Sequence, residues 1–179
     1  MSKGVAAGEL VYLRPIDEGD LETIFLGASQ DEEARRLTGT RQIFTRESVE
    51  AAYQRLWQDP DRVDMAVCRM DDDLVVGEVV LNAVDAHNHS ANFRIAIYDG
   101  FRGRGYGTEA TRLMLDYGFR VRSLHRIELE VWSQNPRAAH VYEKVGFRRE
   151  GSRRQSWLDE GRYYDTWIMG ILAHEFFRD

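Results

Sequence analysis

A chain of 179 residues, 43% hydrophobic and 30% charged, is most simply one domain and can bury a core without covalent staples. A formal net charge of −6 and an isoelectric point near 5.4 argue against a nucleic-acid binder, which carries a basic balance. The single cysteine, Cys68, rules out a disulfide within the chain, MSKGVAAGEL at the start has no signal-peptide core, and no run of about 18 apolar residues occurs; a cytoplasmic protein with no membrane or nucleic-acid partner is expected.

In chain order, residues 10–16 read as a strand that Pro15 ends. Residues 17–29 follow as a helix capped by Asp17, with Leu21, Ile24, Phe25 and Ala28 at helical spacing. A second helix is expected over 45–59, opened by Thr45 and Ser48 without the glutamate of the usual capping box. Two β-branched runs, 63–70 and 74–84, flank the acidic turn at 71–73 as a hairpin, and 91–98 is a further strand. Ala110, Leu113, Met114, Tyr117 and Val121 form the apolar stripe of a helix over 108–121, and 126–132 alternates as a strand. Pro136 can start and Gly146 can stop a short helix, and two strands around Asp159, Glu160 and Gly161 close the chain. The order β-α-α-β-β-β-α-β-α-β-β describes a single α/β domain over 1–179, with a mixed sheet of about seven strands.

The segment FRGRGYG at 101–107 lies between a strand and a helix, the setting in which free backbone N–H groups and the helix dipole hold phosphate. Gly103, Gly105 and Gly107 let a ligand approach the backbone, and Arg102 and Arg104 can add positive charge. A Walker loop is excluded, because no lysine is present. Read as a dinucleotide fingerprint from Gly103, the segment has Thr108 in place of the third glycine. Glu128 stands where a ribose-binding acid would, but little chain remains for further βαβ units. An NAD-type oxidoreductase is therefore the third alternative.

Arg102-x-x-Gly105-x-Gly107 resembles the pyrophosphate-binding signature of the GNAT superfamily of N-acetyltransferases. Asn135, Ala138, Tyr142, Gly146 and Phe147 resemble the spacing of that superfamily's second motif, and the element order is similar to its fold. The segments at 11–22 and 159–172 resemble the RimJ/RimL-type branch, which includes spermidine and ribosomal-protein N-acetyltransferases. The resemblance implies acetyl-CoA as co-substrate, seated in a V-shaped splay between the fourth and fifth strands. Backbone amides of Arg104, Gly105, Tyr106, Gly107 and Thr108 would hold the pyrophosphate, with Gly103 making room. Ile95, Ala96 and Ile97 would pair with the pantetheine arm, which Asn135 would also hold. Tyr142 would donate a proton to the CoA sulfur, as a phenol of pKa about 10 can at neutral pH.

The acceptor implied is a primary amine of a small molecule or a protein N-terminus, and relatives often form homodimers. Many relatives carry a glutamate where this chain has Asn92, and an amide cannot take up a proton at neutral pH. Deprotonation would pass through water, or fall to Glu78 or Glu33; Glu32 and Glu33 could instead attract a cationic acceptor. Glu78 also reads as an exposed strand residue. His87 and His89 lack a third ligand, so no metal is expected. Trp132, Trp157, Tyr163, Tyr164 and Trp167 read as core or dimer packing rather than a substrate cage. A non-catalytic acyl-CoA-binding module of the same fold is the second alternative.

Overall fold

Val11 and Leu13 are fully buried in one apolar cluster, while Tyr12 between them is buried in another. Strand alternation therefore feeds two cores, one on each face of a sheet. The computed structural model describes residues 4–38 and 40–178. The strands are β1 (Ala6–Ala7), β2 (Val11–Pro15), β3 (Val63–Arg69), β4 (Val75–Asp85), β5 (Ser90–Ile97), β6 (Arg126–Trp132), β7 (Arg148–Asp159) and β8 (Arg162–Leu172). They form one sheet in the order β1-β2-β3-β4-β5-β6-β8-β7. Every pairing is antiparallel except β5 with β6. The splayed strands are the pair expected from the sequence, and the eighth strand is the two-residue β1, too short to leave a pattern.

The larger core takes Ala110, Met114 and Leu115 from α4 (Tyr106–Asp116) and Ala139, Tyr142 and Val145 from α5 (Pro136–Val145). The other face is closed by Ile24 of α1 (Leu21–Gln30) and by Val49 and Tyr53 of α3 (Arg46–Leu56), over Ala66, Cys68 and Tyr98. Cys68 is completely buried, a small strand residue as read from the sequence.

Local chemistry sets the ends. Asp17 caps a 3-10 turn by accepting from the Gly19 N–H at 2.8 Å, and α1 continues from it. Ser48 completes the capping box of α3 without a glutamate: its Oγ accepts from the Thr45 N–H while Thr45 Oγ1 accepts from the Ser48 N–H. Glu160 and Gly161 both take positive φ, the two-residue turn that suits a twisted hairpin. The four-residue α6 (Ala173–Phe176) follows β8, and α2 (Glu32–Leu37) follows α1; neither was expected. In α2 no side chain is buried, so it carries no apolar periodicity to read; Asp31 starts it by accepting from the Ala34 N–H at 2.8 Å. Glu33 accordingly lies in the first turn of this helix.

One carboxylate closes the N-terminal edge onto the sheet. Glu109 of α4 accepts from the N–H groups of Glu9, Leu10 and Val11 at 3.0, 2.7 and 2.7 Å. Hydrogen bonds to a charged group carry more than neutral ones, and three donors lose their acceptor together. Replacing Glu109 by Ala is expected to cost roughly 2 kcal/mol of stability, read by chemical denaturation at pH 7.

Candidate active site

β5 and β6 pair in parallel only at Ser90 with Arg126, Ala91 with Ile127 and Asn92 with Glu128. Beyond that both strands continue, to Ile97 and Trp132, with no pairing between them. On the other side of β5, Tyr98 donates its N–H to Val76 O at 3.0 Å. Alternate residues turn their backbone groups to opposite neighbours, so Phe93, Ile95 and Ile97 present theirs to the opening. Of these, the Ile97 carbonyl accepts from Arg102 Nε at 3.0 Å.

The glycine segment bounds the same opening. Gly103 and Gly105 adopt φ of 79° and 88°, where a side chain is strained, and Gly105 is the residue that precedes α4. Gly107 is different: it lies in the helix, where an added Cβ would come 3.4 Å from Ile97. Because α4 begins at Tyr106, the Gly105, Tyr106, Gly107 and Thr108 amides precede the first intrahelical bond, from Glu109 N–H to Gly105 O. Arg104 is exposed beside them. Arg102 is committed elsewhere: its guanidinium donates to Asp31 and, at 3.3 Å, to Glu33. The structure thus brings Glu33 to Arg102 as its exposed partner.

Tyr142 reaches the core from α5. Its ring meets Phe93 edge-on at 6.1 Å and Phe147 at 5.8 Å, and burial pushes its phenol up to about 12, against a smaller opposing effect of Arg94. Asn135 caps α5: its Oδ1 accepts from the Ala138 N–H at 3.1 Å, which leaves the side-chain NH2 as the free donor.

Across the sheet from Tyr142 lies a cavity of about 180 Å³ between α1, α2, α3, β4 and β5. Glu78 lines it, only partly exposed, and its Oε2 accepts from the Tyr53 hydroxyl at 2.7 Å. Burial raises the Glu78 carboxyl above its ordinary value, assisted by Asp64 and opposed by the Tyr53 hydrogen bond, Arg94 and Arg62. Tyr53 itself is driven far upward by burial and by Glu78, so it stays a hydroxyl donor. Asp31, Arg94 and Tyr98 are also on the lining, and sequence reading singled out none of them. Arg94 was findable from strand alternation, because it shares a face with Ala96, which pairs with Glu78.

Other sequence features take ordinary roles. Glu128 is held by Arg126, and the strands beyond β6 run antiparallel, which leaves no second parallel βαβ unit for a dinucleotide. Trp132 stacks on Trp157 at 4.4 Å, but Tyr163 is 61% exposed and belongs to no core.

The opening between β5 and β6 thus has the glycine-led start of α4 beside it and Tyr142 buried against Phe93 of β5. Residues 11–148 match the acetyltransferase (GNAT) domain family, and the chain belongs to it. Spermidine N(1)-acetyltransferase of Vibrio cholerae is 35% identical over 102 residues, covering 57% of this chain and 59% of that protein. The spermidine N(1)-acetyltransferase of Escherichia coli K12 is 34% identical, covering 56% and 54%; the matched stretch is thus little more than half the length of either relative. A probable N-acetyltransferase of Bacillus subtilis, YjcK, is 27% identical over 92% of this chain and 95% of its own. Among solved structures, V. cholerae spermidine N-acetyltransferase in complex with CoA and spermine superposes with a TM-score of 0.88 at 27% identity, over 94% of this chain and 98% of that one.

A carboxyl whose native pKa is raised binds its proton more tightly when folded, so it costs stability once pH exceeds the unfolded value near 4.5. The substitution Glu78→Gln should therefore raise the melting temperature at pH 7, with the gain disappearing below about pH 4. Thermal unfolding across that range checks the sign.

Proposed function

We propose that this protein transfers an acetyl group from acetyl-CoA to a primary amine, of a small molecule or a protein N-terminus, by direct attack. The single observation that supports this best is the placement of Tyr142 and Glu78 on opposite faces of β5, beside the stretch where it parts from β6. Acetyl-CoA would thread the opening: its pyrophosphate at the amides of Arg104 to Thr108 with Gly103 leaving room, and its pantetheine arm along Ile95 to Ile97. The Asn135 side-chain NH2 would hold the same arm. Arg102, bound to Asp31 and the Ile97 carbonyl, shapes this loop from behind.

The chemistry then divides between the two faces. The amine nitrogen attacks the thioester carbon, the C–S bond breaks, and the sulfur takes a proton from the Tyr142 hydroxyl. The proton lost by nitrogen passes to Glu78, directly or through water, and returns through solvent to Tyr142. Asn92 has no part in this, since it cannot accept a proton. Glu33, tied to Arg102, is left the lesser role of an exposed negative charge near the entrance. The reading extends to the RimJ/RimL-type branch, to a cytoplasmic location, and to a second copy of the chain as a protein partner on the exposed edge strand β7.

In the test, purified protein is unfolded thermally with acetyl-CoA, CoA or NAD, and thiol release is followed with a panel of amines. Stabilisation by both CoA species but not NAD is expected; a ligand at about 100 times its Kd adds nearly 3 kcal/mol. Tyr142→Phe should keep that stabilisation and lose roughly 100-fold or more in kcat. Stabilisation by CoA without turnover of any amine would favour the non-catalytic module instead. Tyr53→Phe removes a hydrogen bond that favours the Glu78 carboxylate, so the acid limb of the kcat/KM profile should move to higher pH. A limb that stays in place would take Glu78 out of the base role.

A further inference from the structure

The charged groups on the cavity lining are not equivalent. Asp31 is paired with Arg102, and Arg62 is bound in bidentate fashion to Asp64 at 2.7 and 2.9 Å. Among the described residues, the Glu78 carboxylate accepts only from the Tyr53 hydroxyl. The Arg94 guanidinium has no hydrogen bond or ion pair among the described residues. After these pairings the cavity offers a bound substrate one carboxylate and one free guanidinium.

Their spacing follows from the sheet register. Glu78 pairs with Ala96, and Val80 pairs with Arg94, so Glu78 and Arg94 are diagonal neighbours on one face, with Cβ atoms about 7 Å apart. Arg94 thus stands on the cavity face beside Glu78, and its charge favours the ionised form of that carboxyl. An amine held beside Glu78 would therefore have that guanidinium as its neighbour on the same cavity wall. A second ammonium group close to the first would face an unneutralised cation, whereas a carboxylate would find two N–H donors in the geometry it prefers.

We propose, resting on the acetyltransferase reading, that the acceptor is an amine bearing a nearby carboxylate, of the amino-acid type, and that Arg94 selects it over a polyamine. The amine would lie by Glu78 and the carboxylate on Arg94. Tyr98, whose buried hydroxyl has no hydrogen-bond partner among the described residues, borders the same cavity and can serve a polar group at the far end of such a molecule.

The deciding experiment measures kcat and KM for matched pairs, each an amino acid and the amine left when its carboxylate is removed: ornithine with putrescine, lysine with cadaverine. Spermidine is included as the polyamine. The wild-type protein should favour the carboxylate-bearing member by about tenfold or more in kcat/KM, the low end for a charge-assisted hydrogen bond. In Arg94→Gln that ratio should fall to about one, with the change carried by KM. Preference of the wild type for spermidine or the diamines would overturn the inference while leaving acetyl transfer intact. So would an Arg94→Gln variant that loses turnover of both members equally, or that loses stabilisation by acetyl-CoA. Absence of turnover with every amine, despite stabilisation by acetyl-CoA, would overturn the acetyl-transfer reading itself.

Discussion

The parting of β5 and β6 after three paired residues is the constraint on which the rest of the site depends. It is possible because each strand is secured from its other side. β6 pairs with β8 along its whole length, from Arg126 with Leu172 to Trp132 with Thr166, and β5 pairs with β4 through Ile97. The two halves of the sheet can therefore diverge without either losing a neighbour. What they lose is a set of backbone partners, since N–H and C=O groups of β5 now face a gap. Such groups need an occupant or water, and Arg102 supplies one of them at Ile97. The starts of α4 and α5 follow directly from the two diverging strand ends, so the capping positions Gly105 and Asn135 are consequences of the same divergence.

Along β5 the alternation of side chains assigns the chemistry. Phe93 and Ile95 pack in the core that holds Tyr142, while Arg94 and Ala96 face the cavity with Glu78. Neighbouring residues on one strand thus face opposite sides of the sheet, and their separation is set by the pleat rather than by flexible loops. A one-residue slip would place Phe93 in the cavity and Arg94 in the core, which the full burial of Val79 and Leu81 on β4 forbids. The register is specified by packing, and the geometry of the site is inherited from it.

This division explains what could be read from the chain. The turn at the glycine segment and the helix in the Asn135 to Phe147 run were legible because positive-φ turns and helix capping demand particular residues at short, fixed spacing. The long strands and the apolar helices were legible from their periods. α2 was not, because six residues with no buried side chain have no period. The latch at Glu109 was hidden for another reason: it joins residues about a hundred positions apart, and nothing local to α4 marks that carboxylate as an acceptor. Glu78 and Tyr53, 25 positions apart, meet for the same kind of reason, and only tertiary structure shows that burial, not exposure, sets the behaviour of Glu78. Even the three glycines divide in a way that sequence could not show: two take positive φ, while the third lies within α4 and faces Ile97.

Arg102 shows how the two ends of the site are joined. In the sequence it opens the segment that resembles a phosphate-binding signature, yet in the fold its guanidinium turns to Asp31, which both caps α2 and lines the cavity beside Glu78. The side chain therefore fixes three things at once: the path of the glycine loop, the Ile97 carbonyl at the end of β5, and the α1–α2 junction. Loss of its charge would leave the largely buried Asp31 carboxylate without its partner, a larger penalty than the pair's own net contribution. The loop that would receive one substrate and the helical junction that borders the other are braced by a single ion pair, so the shape of either cannot change without work done on both.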